Sequence, residues 1–189
     1  MFSALDNKWT ENARHLDVSS IAGNISKEDK QRCLGIFQYF IGNSAEQVYG
    51  SQVGERLKAV EMNVRGEGSM STAQVVFEVT VEQDMCNGFN IMHGGCAAYI
   101  IDPCSVASLV ILGMKLGIDA VGFSQSMHLI WHSPVKRRVI IGAKIRIVAT
   151  SMSAQGRVKT ARCEIWDKDI LCVSAIHSTM KRNRRLTRL

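Results

Sequence analysis

Apolar and polar residues alternate along six stretches of this chain and follow a helical rhythm along two others. Arg56 to Val64 and Ala73 to Val81 alternate with a glycine-containing turn between them (Gly66-Glu67-Gly68), which predicts a hairpin. Four more alternating stretches, residues 120–133, 137–153, 156–167 and 169–182, predict four further strands, separated at Pro134, Gly156 and Asp167-Lys168-Asp169. Between the two groups, His93 to Lys115 is apolar almost throughout and predicts one long helix, stopped by Gly113 and Gly117. A shorter helix is predicted from Ser26, an N-cap with Asp29 three residues on. Cys33, Leu34, Phe37, Tyr39, Phe40 and Ile41 supply its apolar face, and Gly42-Asn43 ends it. Residues 1–52 therefore read as a helical N-terminal extension on a main domain at 53–182, followed by a basic tail at 183–189.

One apolar helix among adjacent strands indicates an α+β fold with the helix on an antiparallel sheet. A helix apolar nearly all round cannot be covered by one flat face, whereas a strongly curved sheet can wrap it. That arrangement is the hotdog fold. The same stretch, Gly94 to Ile118, is long and apolar enough to suggest a membrane span. Asp102 and Pro103 stand at its centre, where a carboxylate is expensive in lipid, so the prediction is a helix buried in protein.

The residues that suggest chemistry cluster around this helix. His93-Gly94-Gly95 stands at its start, Asn87 six residues before His93 and Asp102 nine after. Ser124 lies nine positions ahead of Ser133-Pro134. This N-x5-HGG-x6-D pattern, with the later serine and Ser-Pro pair, resembles the acyl-CoA thioesterases of the hotdog superfamily over residues 55 to 182. The nearest type is the phenylacetate-degradation (PaaI) subfamily, which includes acyl-CoA thioesterase thirteen. The resemblance implies that Asn87 polarises the thioester carbonyl, that His93 organises the site or the departing thiolate, and that Ser124 helps orient the attacking water.

Elementary chemistry agrees with it. A thioester carbonyl under attack gathers negative charge on oxygen and needs preorganised donors. The first N–H groups of a helix have no internal partner and sit at the positive end of its dipole. Gly94 N–H is therefore assigned to that oxygen, with Gly95 beside it in the substrate-binding set. Asp102, among Tyr99, Ile100, Ile101 and Val106, suits a general base or nucleophile, because burial penalises its charged form unless it is partnered. Eight residues separate Gly94 from Asp102, about 12 Å of helix rise. One short side chain cannot span that, so Asp102 must act on a carbonyl held by another subunit. A homodimer is thus required, and whether two dimers join as a tetramer stays open. Pro103 removes a hydrogen bond from the Tyr99 carbonyl just behind Asp102 and forces a kink.

Charge and composition adjust this picture only at the edges. The chain holds 189 residues, 46% of them hydrophobic and 21% charged, which excludes a disordered protein. From Pro134 onward 14 Lys and Arg face 3 Asp and Glu, a net of +11, against −5 for the first 133 residues. A basic half suits an anionic partner, and coenzyme A carries three phosphates. Arg137, Arg138, Arg157, Lys159 and Lys181 border strand ends, where the family docks the coenzyme A nucleotide. No nucleic-acid partner is expected, since the basic half offers few aromatics for stacking. The six cysteines show no paired spacing and read as free thiols. His128 and His132 lie about 13 Å apart on one strand face, too far to share an ion, so no metal is expected. No cofactor is expected beyond the coenzyme A of the substrate. The first thirty residues lack a continuous apolar run, which predicts no secretory leader and a cytoplasmic or mitochondrial location. Two other functions fit the fold: a non-hydrolytic protein that binds acyl-CoA or regulates a partner, and acyl-CoA hydration, whose Asp/His placement is not found here.

Overall fold

The structure is a computed structural model, and it describes residues 13–42, 48–132 and 141–181. Helix α1 spans Lys27–Ile41 and a single turn, α2, spans Ser51–Gly54. Strands β1 (Lys58–Arg65) and β2 (Thr72–Thr80) form the expected hairpin. The long helix α3 (Gly94–Leu116) follows, then β3 (Gly122–Trp131), β4 (Lys144–Ser153), β5 (Val158–Asp167) and β6 (Ile170–Lys181). The strands make one antiparallel sheet in the order β1-β2-β4-β5-β6-β3. With α3 laid across it, this is the hotdog fold.

Two expected boundaries move. Gly113 lies inside α3, packed against Ala120 and the Ile118 carbonyl, and the helix ends at Gly117, whose left-handed φ of 67° closes it. β4 opens at Lys144, with Ile141 and Gly142 in a turn ahead of it; residues 137–140 fall outside the described set.

The core sits between sheet and helix. Inward positions alternate as the pleat requires, with Val75, Phe77 and Val79 on β2, Ile145, Ile147 and Ala149 on β4, and Ala161, Cys163 and Ile165 on β5. α3 is the one helix among the described residues long and apolar enough to cross a membrane, and 61% of its apolar window is buried inside the protein. The sheet alone does not cover it. α1 lies on the same side of the sheet, burying Cys33, Ile36, Phe37 and Ile41, and Phe37 stacks on Phe77 of β2 at 4.7 Å between ring centres. Ser26 caps α1 as its sequence requires, accepting from Asp29 N at 3.0 Å.

The two edges of the sheet differ. Ala22, ahead of α1, pairs with the outer edge of β1 through Ala22 N to Val60 O (2.9 Å) and Met62 N to Ala22 O (3.0 Å). Gly23 makes this approach feasible, because a Cβ there would stand 1.8 Å from the Met62 carbonyl oxygen. The outer edge of β3 carries no further strand among the described residues, and Ile130 and Trp131 on it are exposed.

Candidate active site

Asn87 holds the loop that leads into α3. Its Oδ1 accepts from Phe89 N at 2.9 Å and Ile91 N at 3.3 Å, and its own N–H reaches Ile91 O at 2.8 Å. Only the side-chain NH₂ is then left to approach a carbonyl. His93 caps α3, with Nδ1 accepting from Gly95 N at 2.9 Å. The Gly95 amide is thereby occupied. Gly94, the first helical residue, has an N–H with no acceptor along the helix, and it lies beside the Trp131 ring at the far end of β3.

Asp102 projects from the middle of α3 toward the start of β3. Its side chain is 49% exposed in the single chain, so the deep burial expected among apolar neighbours does not hold. The physical reason is that sheet and α1 cover the rest of α3 and leave this flank open. The carboxylate is partnered instead. Ser124 Oγ donates to Asp102 Oδ1 at 3.3 Å, and His177 Nε2 stands 3.0 Å from Ser124 Oγ and 3.7 Å from Asp102 Oδ1. On the other side of the imidazole, Ser105 Oγ lies 2.6 Å from His177 Nδ1. Ser105 Oγ also donates to the Asp102 backbone carbonyl at 2.8 Å, and the contacts join Ser105, His177, Ser124 and Asp102 in one connected group. His177 is fully buried, and that burial pushes its pKa below the ordinary value, with Asp102 pulling the other way.

The structure thus brings Asp102 and Ser124 together, and it places Asn87, His93 and Gly94 together at the N-terminal end of the same helix. The two groups belong to separate ends of one chain. His177 was missed in the sequence, although alternation along β6 puts it on the inward row with Val173, Ala175 and Thr179. A histidine in an inward register was the available signal. Arg157 is exposed at the start of β5 and Lys181 at the end of β6, linked by Lys181 N to Arg157 O at 3.0 Å. Lys159 does not border the surface as expected: its register turns it inward, and it is 1% exposed. Arg137, Arg138, Ser133 and Pro134 lie outside the described residues. Burial raises the Cys96 thiol to about 11 and holds Cys104 far above its ordinary value, which removes both as nucleophiles.

No family model matches this chain, and no curated protein matches it in sequence. Solved structures do. Thioesterase superfamily member 2 of zebra fish superposes with a TM-score of 0.59 at 20% identity, over 78% of this chain and 94% of that one. A mutant of the phenylacetic acid degradation protein PaaI of Thermus thermophilus gives 0.51 at 16% identity, over 67% and 93%. The protein smu.793 of Streptococcus mutans, solved with acetyl CoA bound, gives 0.52 at 14% identity, over 75% and 98%. At such identities the likeness establishes the hotdog fold.

Proposed function

We propose that the protein is an acyl-CoA thioesterase that works as a homodimer. The observation that carries this reading is the Asp102 carboxylate, fed by Ser124 and His177 and open on the one flank of α3 that nothing in the described chain covers. Placed side by side and antiparallel, two such helices set each Asp102 beside the partner's helix N-terminus. There Gly94 N–H and the Asn87 amide polarise the thioester carbonyl. Water gives a proton to Asp102 as its oxygen bonds to the carbonyl carbon. The tetrahedral intermediate then expels coenzyme A by breaking C–S, and the thiolate recovers a proton from the site. Ser124 orients the water, and His177, behind it, is a positioning residue. Arg157, exposed at the start of β5, is one described cation of the kind the substrate phosphates need. The solved neighbour with acetyl CoA supports a coenzyme A ligand.

Thiol release from a panel of short, long and aromatic acyl-CoAs tests this reading. Asp102→Asn should retain the fold and lose roughly 10²–10⁴-fold in turnover, the usual contribution of a positioned general base. Turnover by the variant equal to wild type removes the mechanism. Turnover by none of the substrates in the wild type removes the enzyme. An active monomer in sedimentation removes the shared site.

A further inference from the structure

A half-open cavity lies at the opposite end of α3 from Gly94. It measures about 660 Å³ and is walled by Leu116, Ile118, Asp119, Gln155, Lys159 and Lys181 among others. Its wall contains none of Asp102, Ser124, His177 or Gly94. Lys159 reaches it from the inner face of β5, in the row that Ala161, Cys163 and Ile165 continue. The residue is 1% exposed, and its Nζ has no hydrogen-bond partner among the described residues. Directly across on β6 stands Thr179, also 1% exposed, and its hydroxyl likewise lacks a partner. Directly opposed residues in such a ladder point to the same face with Cβ atoms about 5 Å apart.

Buried polar groups nearly always find partners, and an unpaired ammonium is among the costliest exceptions. A buried ammonium without a partner, on the wall of a cavity of ligand size, calls for an acceptor that comes from outside the chain. We propose that this cavity binds a small organic anion, whose carboxylate or phosphate oxygens accept from Lys159 Nζ. Charge fits: Lys159 and Lys181 against Asp119 leave 2 − 1 = +1 on the wall, which one monoanion neutralises. Volume fits, since small-molecule sites run to about 300–1,000 Å³. Leu116 and Ile118 offer apolar surface to the carbon body of the ligand. A lysine is a point charge without the fork of arginine, so it accepts either oxyanion geometry. Burial lowers the pKa of the Lys159 ammonium, Asp119 opposes that and Lys181 adds to it; a bound anion reverses the balance. Asp102, Ser124, His177 and Gly94 take no part in this site, whereas Lys159 and Lys181 on its wall are also among the cations that the resemblance assigns to the coenzyme A nucleotide. A rise with adenosine bisphosphate alone therefore returns the cavity to the substrate and overturns a separate site.

The test is thermal unfolding of the full chain at constant ionic strength, with chloride replaced in turn by phosphate, hexanoate or adenosine bisphosphate, the nucleotide end of coenzyme A. At least one of these should raise the wild-type midpoint by about 3–8 °C at saturation. Lys159→Met should abolish the rise, and Lys181→Gln should reduce it. A rise with hexanoate alone assigns a carboxylic acid, and one with the phosphates alone assigns a phosphate ester. No rise with any anion overturns the site, and so does an equal rise in wild type and Lys159→Met. Should Lys159→Met fail to fold, titration of the wild type by amide NMR decides: signals of Gly117 and Gly156, on the cavity wall, must move. Neither moving overturns the site equally.

Discussion

His177 on β6 and Lys159 on β5 face the same side of the sheet from adjacent strands, 0% and 1% exposed, yet their surroundings are opposite. His177 has a hydroxyl on each ring nitrogen, Ser105 on one side and Ser124 on the other. Lys159 has no partner for its ammonium among the described residues. A buried polar group whose neighbours complete its hydrogen bonds belongs to the folded architecture, and removing it should weaken the protein. One left incomplete weakens the protein by its presence, unless something else binds it.

The sharpest way to break this comparison is to truncate both residues and compare signs. His177→Ala empties a packed site and strands two serine hydroxyls, and should cost about 2–4 kcal/mol in urea unfolding. It should also slow turnover, since Ser124 loses its support. Lys159→Met keeps the shape of the stem and removes the charge. Without an anion present it should stabilise the protein by about 1–3 kcal/mol. Two losses of similar size would erase the distinction. Ser105→Ala, which leaves one imidazole nitrogen without its hydroxyl, should cost about 1 kcal/mol with the fold intact. The smallest effect is on pH. The folded protein holds the His177 pKa below its ordinary value near 6.5, so the unfolded chain takes up the proton first. Stability should therefore fall as pH drops below about 6.5 and level off once the folded protein titrates too. His177→Gln should remove that part of the acid dependence, and an unchanged profile would show that other groups set it.

These same residues show what was legible in the chain. The six strands, both helices and the capping serine at position 26 followed from period and turn chemistry, because each depends on neighbours within a few residues. Asp102, Ser124 and the His93-Gly94 junction were legible from their spacing. His177 and the inward turn of Lys159 were not read, although both occupy inward positions of cleanly alternating strands. Alternation tells which face a residue takes but not who stands opposite, and the partners of His177 come from 53 and 72 residues away. The coverage of α3 failed for a related reason. Its all-round apolar character suggested a wrapping sheet, while part of the cover comes from α1, which the sequence treats as a separate extension. Gly113 misled because a glycine near a helix end reads as a stop, and here it serves close packing against Ala120 instead.

The contact between His93 and Gly95 has a chemical corollary. An imidazole nitrogen that accepts from a backbone amide cannot itself carry hydrogen, so the ring proton of His93 sits on Nε2. In that state the side chain is purely a giver: it can offer hydrogen to a departing sulfur or a ligand oxygen, and it has no lone pair left with which to take one from water. In the proposed reaction, that bond at the start of the helix would fix His93 as a donor.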